Sequence, residues 1–190
     1  MTFTENFSAL SKNSVSIAGG KGASLGEMYN SRISVPPGFV VLSSGFEQFL
    51  EESGLNVEIR AALEKVNLKE MHTIENASEE IQALILSRKI PAEIEKEILE
   101  KFKKLNAKYV AVRSSATSED SASAAWAGQL DSYLNTTSKD LLKNVRRCWA
   151  SLFTPRAIFY RFEKELHEQH ISVAVVVQKM VESEVSGIAF

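Results

Sequence analysis

The sequence predicts an α+β fold, in which amphipathic helices pack against a small β-sheet. Two apolar segments rich in β-branched residues, at 109–113 and 172–178, are typical of buried strands. Around them, apolar residues recur every three or four positions, which indicates helices that bury one face. We expect two lobes, a mixed α/β lobe over residues 1–107 with a helical insertion and a second lobe over residues 108–190.

The first lobe begins with a glycine-rich segment, followed by a helix over about residues 22–29. Val35-Pro36-Pro37-Gly38 is expected to be extended, because each proline disfavours the α region for the residue before it. Residues 39–42 then form a short strand. Ser44-Gly45-Phe46-Glu47 has the spacing of a capping box, which predicts a helix that ends near Gly54.

The rest of the first lobe is the helical insertion. Helical periodicity covers residues 57–66 and 69–88, and Pro91 fits the first position of a further helix. The apolar face of that helix consists of Ile94, Ile98, Leu99, Phe102 and Leu105. We expect no residue of the insertion to take part in chemistry.

The second lobe starts with the first of the two buried strands, and residues 130–135 are its expected hairpin partner. Ser138 can cap a helix. Thr154-Pro155 combines a cap with a proline that favours the first helical turn, so another helix is expected to about His167. After the second buried strand, residues 185–190 are predicted to form a last strand.

Composition is typical of a globular domain and excludes several classes of function. With 190 residues, 44% hydrophobic and 24% charged, the chain can bury about 70% of its unfolded surface. A net charge of −2 argues against a nucleic-acid partner, which would favour a basic surface. The single cysteine, Cys148, excludes an internal disulfide and is expected to be a buried thiol.

Membrane targeting is not indicated either. No apolar run approaches the roughly 18 residues of a membrane span. The first residues lack the basic and apolar regions of a secretory signal. We therefore expect no membrane partner and a cytoplasmic location.

A segment of small residues follows the first buried strand and is a candidate anion site. Arg113 stands near the strand end, and the next residues are mostly Ser, Thr and Ala. Arginine offers forked, charged donors, and short side chains let a phosphate approach backbone N–H groups. On composition alone, a serine-rich surface loop explains this segment equally well.

Two further segments favour nucleotide binding. Lys21 follows two glycines and precedes a helix, so its ammonium can meet a phosphate near the backbone. A glycine turn with an exposed lysine explains this pattern too. Gln178-Lys179-Met180-Val181 leaves the second buried strand, where backbone groups and the methionine can hold an adenine ring. A strand end with a buried methionine is the alternative there.

Six motifs occur in a fixed order along nearly the whole chain, and residues 55–105 are the least diagnostic part. They are residues 19–28, 35–39, 113–120 with 127–129 and 134–135, 148–153 with 156–157 and 160–161, 177–181, and 186–187. In this order they resemble the nucleotide-binding domain of the phosphoenolpyruvate synthase and pyruvate phosphate dikinase family. That family also includes rifampicin phosphotransferases and plant glucan water dikinases.

The resemblance implies the N-terminal part of an ATP-grasp-type domain, with ATP as its ligand. Lys21 and Arg113 match positions that contact the phosphates, and the loop after Arg113 matches a phosphate cover. The segment that begins at Gln178 matches the hinge that reads adenine. The ATP-binding residues implied in this way are Lys21, Arg113, Ser114, Thr117, Ser118, Gly128, Gln129, Gln178, Met180 and Val181.

The sequence departs from the family at Phe190, where the chain stops. The family's Mg²⁺ ligands, its phosphoryl-accepting histidine and its pyruvate-binding domain match nothing in residues 1–190. We therefore expect part of a larger enzyme, with Mg²⁺ ligands beyond residue 190 and no catalytic residue or phosphotransfer activity in this part alone. In the parent enzyme, the resemblance implies transfer from ATP to a histidine and then to pyruvate. A rifampicin phosphotransferase-like enzyme and a standalone, non-catalytic nucleotide-binding module are the alternatives.

Overall fold

The computed structural model describes residues 2–117, 131–166, 172–185 and 187. The strands in these ranges are β1 (Thr4–Asn6), β2 (Gly38–Val41), β3 (Val110–Ala116), β4 (Ser132–Thr136) and β5 (Val173–Lys179). They form one antiparallel sheet in the spatial order β1-β2-β5-β3-β4. The strand that comes last in the sequence therefore lies in the middle of the sheet.

Seven α-helices accompany the sheet in the described part of the chain. They are α1 (Val15–Asn30), α2 (Ser43–Glu52), α3 (Leu55–Leu63), α4 (Met71–Ser87), α5 (Ala92–Leu105), α6 (Leu141–Ala150) and α7 (Pro155–Glu163). Three single-turn 3₁₀ helices, Phe7–Ala9, Lys12–Ser14 and Ser151–Phe153, connect some of these elements.

The sheet separates two helical layers of unequal size. On one face, Val40 and Val176 pack with apolar residues of α1 and of the segment before it. On the other face, Val112 and Val177 belong to a larger core to which α2 to α7 all contribute. Successive residues of a strand point to opposite faces, so each inner strand supplies both cores. We call these the α1 face and the main-core face of the sheet.

The predicted α+β class is confirmed, and so are both buried strands and the hairpin partner of the first. All β5 residues except Lys179 are buried, as are all β3 residues except Arg113. The sheet takes strands from both sides of residue 107, because β2 pairs with β5 along its length. The division into two lobes stays a prediction.

Two predicted helix caps are wrong. The capping box at Ser44 does not form, because α2 begins one residue earlier and Leu42 precedes it without a side-chain cap. Asp140, not Ser138, precedes α6, again without a side-chain cap. Both helices bury an apolar face in the main core, and this tertiary packing sets where they begin.

The other local predictions have different outcomes, and part of one falls outside the described residues. The Thr154 cap is confirmed, since its hydroxyl accepts a hydrogen bond from the backbone N–H of Ala157 at 3.3 Å. Pro91 lies one position before α5 and not within it. Of the predicted last strand, Val185 and Gly187 are described and lie outside any strand, and the other residues are not described.

Candidate functional site

Helix α1 is broken at the glycine pair that precedes Lys21. Gly19 has φ 68° and ψ 171°, a conformation that is essentially restricted to glycine, and it separates two helical segments. The sequence pattern predicted only the second segment. The first segment was missed because two consecutive glycines predict a turn. In the structure, the glycine pair instead lies between two helical segments.

The second segment of α1 starts against strand β3. The Ser115 hydroxyl oxygen accepts hydrogen bonds from the backbone N–H groups of Lys21, at 3.1 Å, and Gly22, at 3.3 Å. A Cβ atom at Gly19 would overlap the backbone of Ser115 and lie 2.6 Å from its carbonyl carbon. The glycine pair therefore serves close packing of the helix on the strand.

Arg113 lies on the same face of β3 as Ser115, two residues earlier. Its strand neighbour across the sheet is Val176, and Val40 follows on the next strand, so this row belongs to the α1 face. The side chain is half-buried, whereas the rest of β3 is buried. Within the described residues, no hydrogen bond or ion pair engages its guanidinium group, which carries five N–H donors.

The structure does not bring Ser114 to this face. Its hydroxyl lies 3.0 Å from the Asp131 carbonyl oxygen, 3.4 Å from that of Cys148 and 3.0 Å from the Ser151 hydroxyl. It therefore ties β3 to α6 on the main-core face. Ser114 was predicted as a phosphate donor, but its side chain has this structural position instead.

Thr117 extends the pairing of β3 with β5. Its backbone N–H donates to the Ser172 carbonyl oxygen at 3.1 Å, and its hydroxyl oxygen accepts from the Ser172 N–H at 3.2 Å. The threonine is half-buried beyond the end of β3. Its predicted contact with a phosphate stays a prediction, as do those of Ser118, Gly128 and Gln129, which lie outside the described residues.

The predicted hinge begins at the far end of the same face. Gln178 is buried, and its side-chain amide donates to the Pro36 carbonyl oxygen at 3.1 Å. It pairs in register with Ala111 on β3, so it lies on the α1 face with Arg113. This contact explains the rigid Pro36-Pro37 segment, which supplies a fixed acceptor for the glutamine.

The backbone of the hinge is only partly engaged. The N–H of Lys179 donates to Pro37 at 2.8 Å, and that of Met180 donates to Tyr109 at 3.0 Å. Val181 is 59% exposed, and within the described residues its N–H has no backbone partner. Within the described residues, the Met180 N–H is thus engaged, whereas no backbone acceptor engages that of Val181.

A cavity of about 550 Å³ lies at this end of the sheet. It is lined by Lys108, Tyr109, Asn135 and residues 179–183. Met180 lies four strand positions from Val176, the partner of Arg113, which corresponds to about 13 Å at the usual strand rise. An extended nucleotide can bridge such a distance with its base at the hinge and its phosphates near Arg113.

Arg113, Gln178 and the helix start at Lys21 lie on the α1 face, and the convergence of the Lys21 and Arg113 side chains on one phosphate stays a prediction. Sequence reasoning missed Ser115. The only local signal for Ser115 was a helix start at Gly20 with glycine at the cap position, which leaves the first N–H groups without a side-chain acceptor.

In the described residues, no three His, Cys, Asp or Glu side chains cluster in a way that could hold a metal ion. No described helix is long and apolar enough to span a membrane.

The broken helix start before Lys21, the half-buried Arg113 and the strand end at Gln178 thus lie on one face of the sheet. Residues 15–190 match the family model of the pyruvate phosphate dikinase AMP/ATP-binding domain. The chain therefore belongs to this family, and ATP is the nucleotide that its membership supports.

Curated relatives resemble the chain over its full length. A probable phosphoenolpyruvate synthase of Methanothermobacter thermautotrophicus is 43% identical over 97% of this chain and 28% of its own length. The phosphoenolpyruvate synthase of Pyrococcus furiosus is 37% identical over 99% of this chain and 28% of its own. A rifampicin phosphotransferase of Bacillus cereus is 37% identical over the whole chain and 22% of its own length. The chain thus spans less than a third of each of these relatives.

Proposed function

We propose that the chain is the ATP-binding part of a phosphoenolpyruvate synthase-like dikinase, and that it folds as the N-terminal part of an ATP-grasp-type domain. The observation that carries this proposal is the location of Arg113, Gln178 and the helix start at Lys21 on the α1 face, where the Ser115 hydroxyl oxygen accepts from the Lys21 N–H. Similarity to named phosphoenolpyruvate synthases over the whole chain supports it.

The residues of this chain bind and orient the nucleotide. Arg113 and the Lys21 ammonium neutralise phosphate charge, and Val181 and the adjacent hinge backbone read the base beside Met180. ATP supplies the phosphoryl group when it is bound. The described residues contain no candidate acceptor site, and placement and charge neutralisation are the protein's main contributions to such chemistry.

We propose further that Mg²⁺ accompanies ATP and that its ligands lie outside this chain. Pyruvate is the proposed final acceptor, after a histidine on a separate domain. The proposed location is the cytoplasm.

A second candidate function is that of the ATP-binding part of a rifampicin phosphotransferase-like enzyme, which the similarity to the Bacillus cereus protein favours. The protein expressed from its complete reading frame separates the two, because pyruvate or rifampicin would stimulate AMP formation from ATP.

The binding proposal is tested by titration calorimetry of the chain with ATP. Arg113→Ala should weaken ATP binding roughly ten- to a hundredfold, since it removes charged hydrogen bonds to the phosphates. Arg60→Ala is the matched control, because Arg60 is exposed on α3, in the helical layer of the main-core face. Equal losses in both variants, or none in Arg113→Ala, would contradict the proposed phosphate site. Binding without phosphotransfer in the complete protein would favour a non-catalytic module.

A further inference from the structure

The buried Ser115 side chain connects strand β3, which carries Arg113, to the helix start that carries Lys21. Its hydroxyl oxygen accepts from the N–H groups of Lys21 and Gly22, which belong to an element 94 and 93 positions away. The side chain is completely buried. Because it is buried and its oxygen is engaged by two backbone donors, Ser115 is not available to touch a ligand itself.

These two bonds replace a helix cap that the sequence lacks. Gly19 occupies the cap position of the second α1 segment, and Lys21 and Gly22 are the second and third residues after it. In most helices a serine, threonine or aspartate at the cap accepts from those same two N–H groups. Here glycine has no side chain, and the oxygen comes from a distant strand instead.

The cap also fixes the position of Lys21 relative to Arg113. Ser115 follows Arg113 by two strand positions, so their side chains project on one face about 7 Å apart. The contact of Gly19 with the Ser115 backbone prevents the helix from sliding along the strand. The helix start, and with it the root of the Lys21 side chain, is therefore held against the strand that carries the arginine.

We infer that Ser115 is a positioning residue that makes Lys21 and Arg113 act as one phosphate clamp. This inference rests on the proposed ATP-binding function and adds a residue to it. Ser115 acts through the Lys21 backbone and not on the ligand. Loss of the Ser115 hydroxyl should therefore weaken the binding of ligands that carry phosphates. The affinity for a ligand that reaches only the hinge should not change.

The comparison of ATP with adenosine in the Ser115→Ala chain tests this. We expect ATP affinity to fall about three- to tenfold, the equivalent of a lost helix cap, and adenosine affinity to change less than twofold. Ser78→Ala is the matched control, because Ser78 is also a buried serine, with its hydroxyl donating to Phe153 at 2.7 Å in the main core. It should lose stability while both affinities stay unchanged.

The outcomes separate this inference from the proposed function. If Arg113→Ala weakens ATP binding and Ser115→Ala leaves the ratio of ATP to adenosine affinity unchanged, the clamp stands and the role of Ser115 is refuted. An equal fold-loss of affinity for ATP and for adenosine would show a merely structural role of Ser115 and would refute the inference as well. If the unmodified chain binds no ATP, both proposals fail.

Two further measurements test the inference, and the first does not require the Ser115→Ala variant to fold. In the unmodified chain, the amides of Lys21 and Gly22 should exchange with solvent slowly, since Ser115 satisfies them; exchange at the rate of a free amide would refute the inference. In folded variants, Lys21→Ala should weaken ATP binding less in the Ser115→Ala background than in the unmodified chain. Equal effects in the two backgrounds would mean that Lys21 does not depend on Ser115.

Discussion

Ser114 and Ser115 are adjacent in the chain and their hydroxyl groups lie on opposite faces of the sheet. The first is bonded to the carbonyl oxygen of Asp131 and faces α6, and the second accepts from the Lys21 N–H on α1. Each side chain is buried. Two consecutive serines thus hold two different helical layers on one strand, and only Ser115 lies on the same face as Arg113.

Ser114→Ala should lower the free energy of unfolding by about 1–3 kcal/mol, because buried polar partners on α6 and on the 3₁₀ helix after it lose a hydrogen bond. Its ATP affinity should stay within twofold of the unmodified chain. Urea unfolding and calorimetry measure the two quantities. A loss of ATP affinity as large as that of Arg113→Ala would indicate that Ser114 does take part in phosphate binding.

Gly19→Ala should destabilise the chain by about 2–5 kcal/mol, through both its backbone conformation and overlap with Ser115. Gly54→Ala is the control, because Gly54 has φ 69° and an added Cβ would meet nothing within 4 Å. That variant should cost only about 1–2 kcal/mol, the price of the left-handed backbone. Equal losses in thermal or urea unfolding would show that the contact with Ser115 is dispensable.

The hinge should favour ATP over GTP by about tenfold or more, since guanine reverses the donor and acceptor pattern at the base edge. Val181→Pro removes an N–H that has no backbone partner among the described residues and should abolish this preference. Val185→Pro, at a valine that is 88% exposed, is the control and should retain it. Equal affinity of the unmodified chain for ATP and GTP would rule out adenine recognition at the hinge.

Cys148 should react with a thiol reagent only when the chain unfolds. Burial raises the pKa of its thiol to about 12, so the reactive thiolate is scarce in the folded state. The raised pKa stabilises the fold below the unfolded value of about 8.5, and this contribution is lost as pH rises from there toward 12. Stability should therefore fall less steeply between pH 8.5 and 11 in Cys148→Ala. Identical slopes, or rapid alkylation of the native chain, would contradict this.

Arg161→Met should raise the free energy of unfolding by about 1–3 kcal/mol. Burial lowers the pKa of the Arg161 guanidinium to about 10, and its Nε atom is buried without a hydrogen-bond partner in the described residues. Methionine keeps much of the packing and removes the charge. Arg60→Met, at an exposed position, should leave stability unchanged. A loss of stability in Arg161→Met would reveal an anionic partner for this arginine.

Residue type and local pattern were sufficient to predict the two buried strands, since runs rich in valine favour strands. Local pattern left Lys21 and Arg113 open to other interpretations, and only the ordered motifs of the family singled them out as candidate site residues. Ser115 could not be found in this way, because its role depends on a helix 94 positions away. The failed caps at Ser44 and Ser138 have the same origin, since tertiary packing and not the local motif sets where those helices begin.

The central position of β5 has a consequence for synthesis on the ribosome. Until residues 173–179 emerge, β2 and β3 each lack their inner neighbour, and the nascent chain carries two incomplete half-sheets with open edges. Open edges can pair with other chains. Slow translation before residues 173–179 emerge therefore increases the risk of aggregation. The proposed hinge emerges together with β5, so the proposed nucleotide site cannot form before the sheet can close.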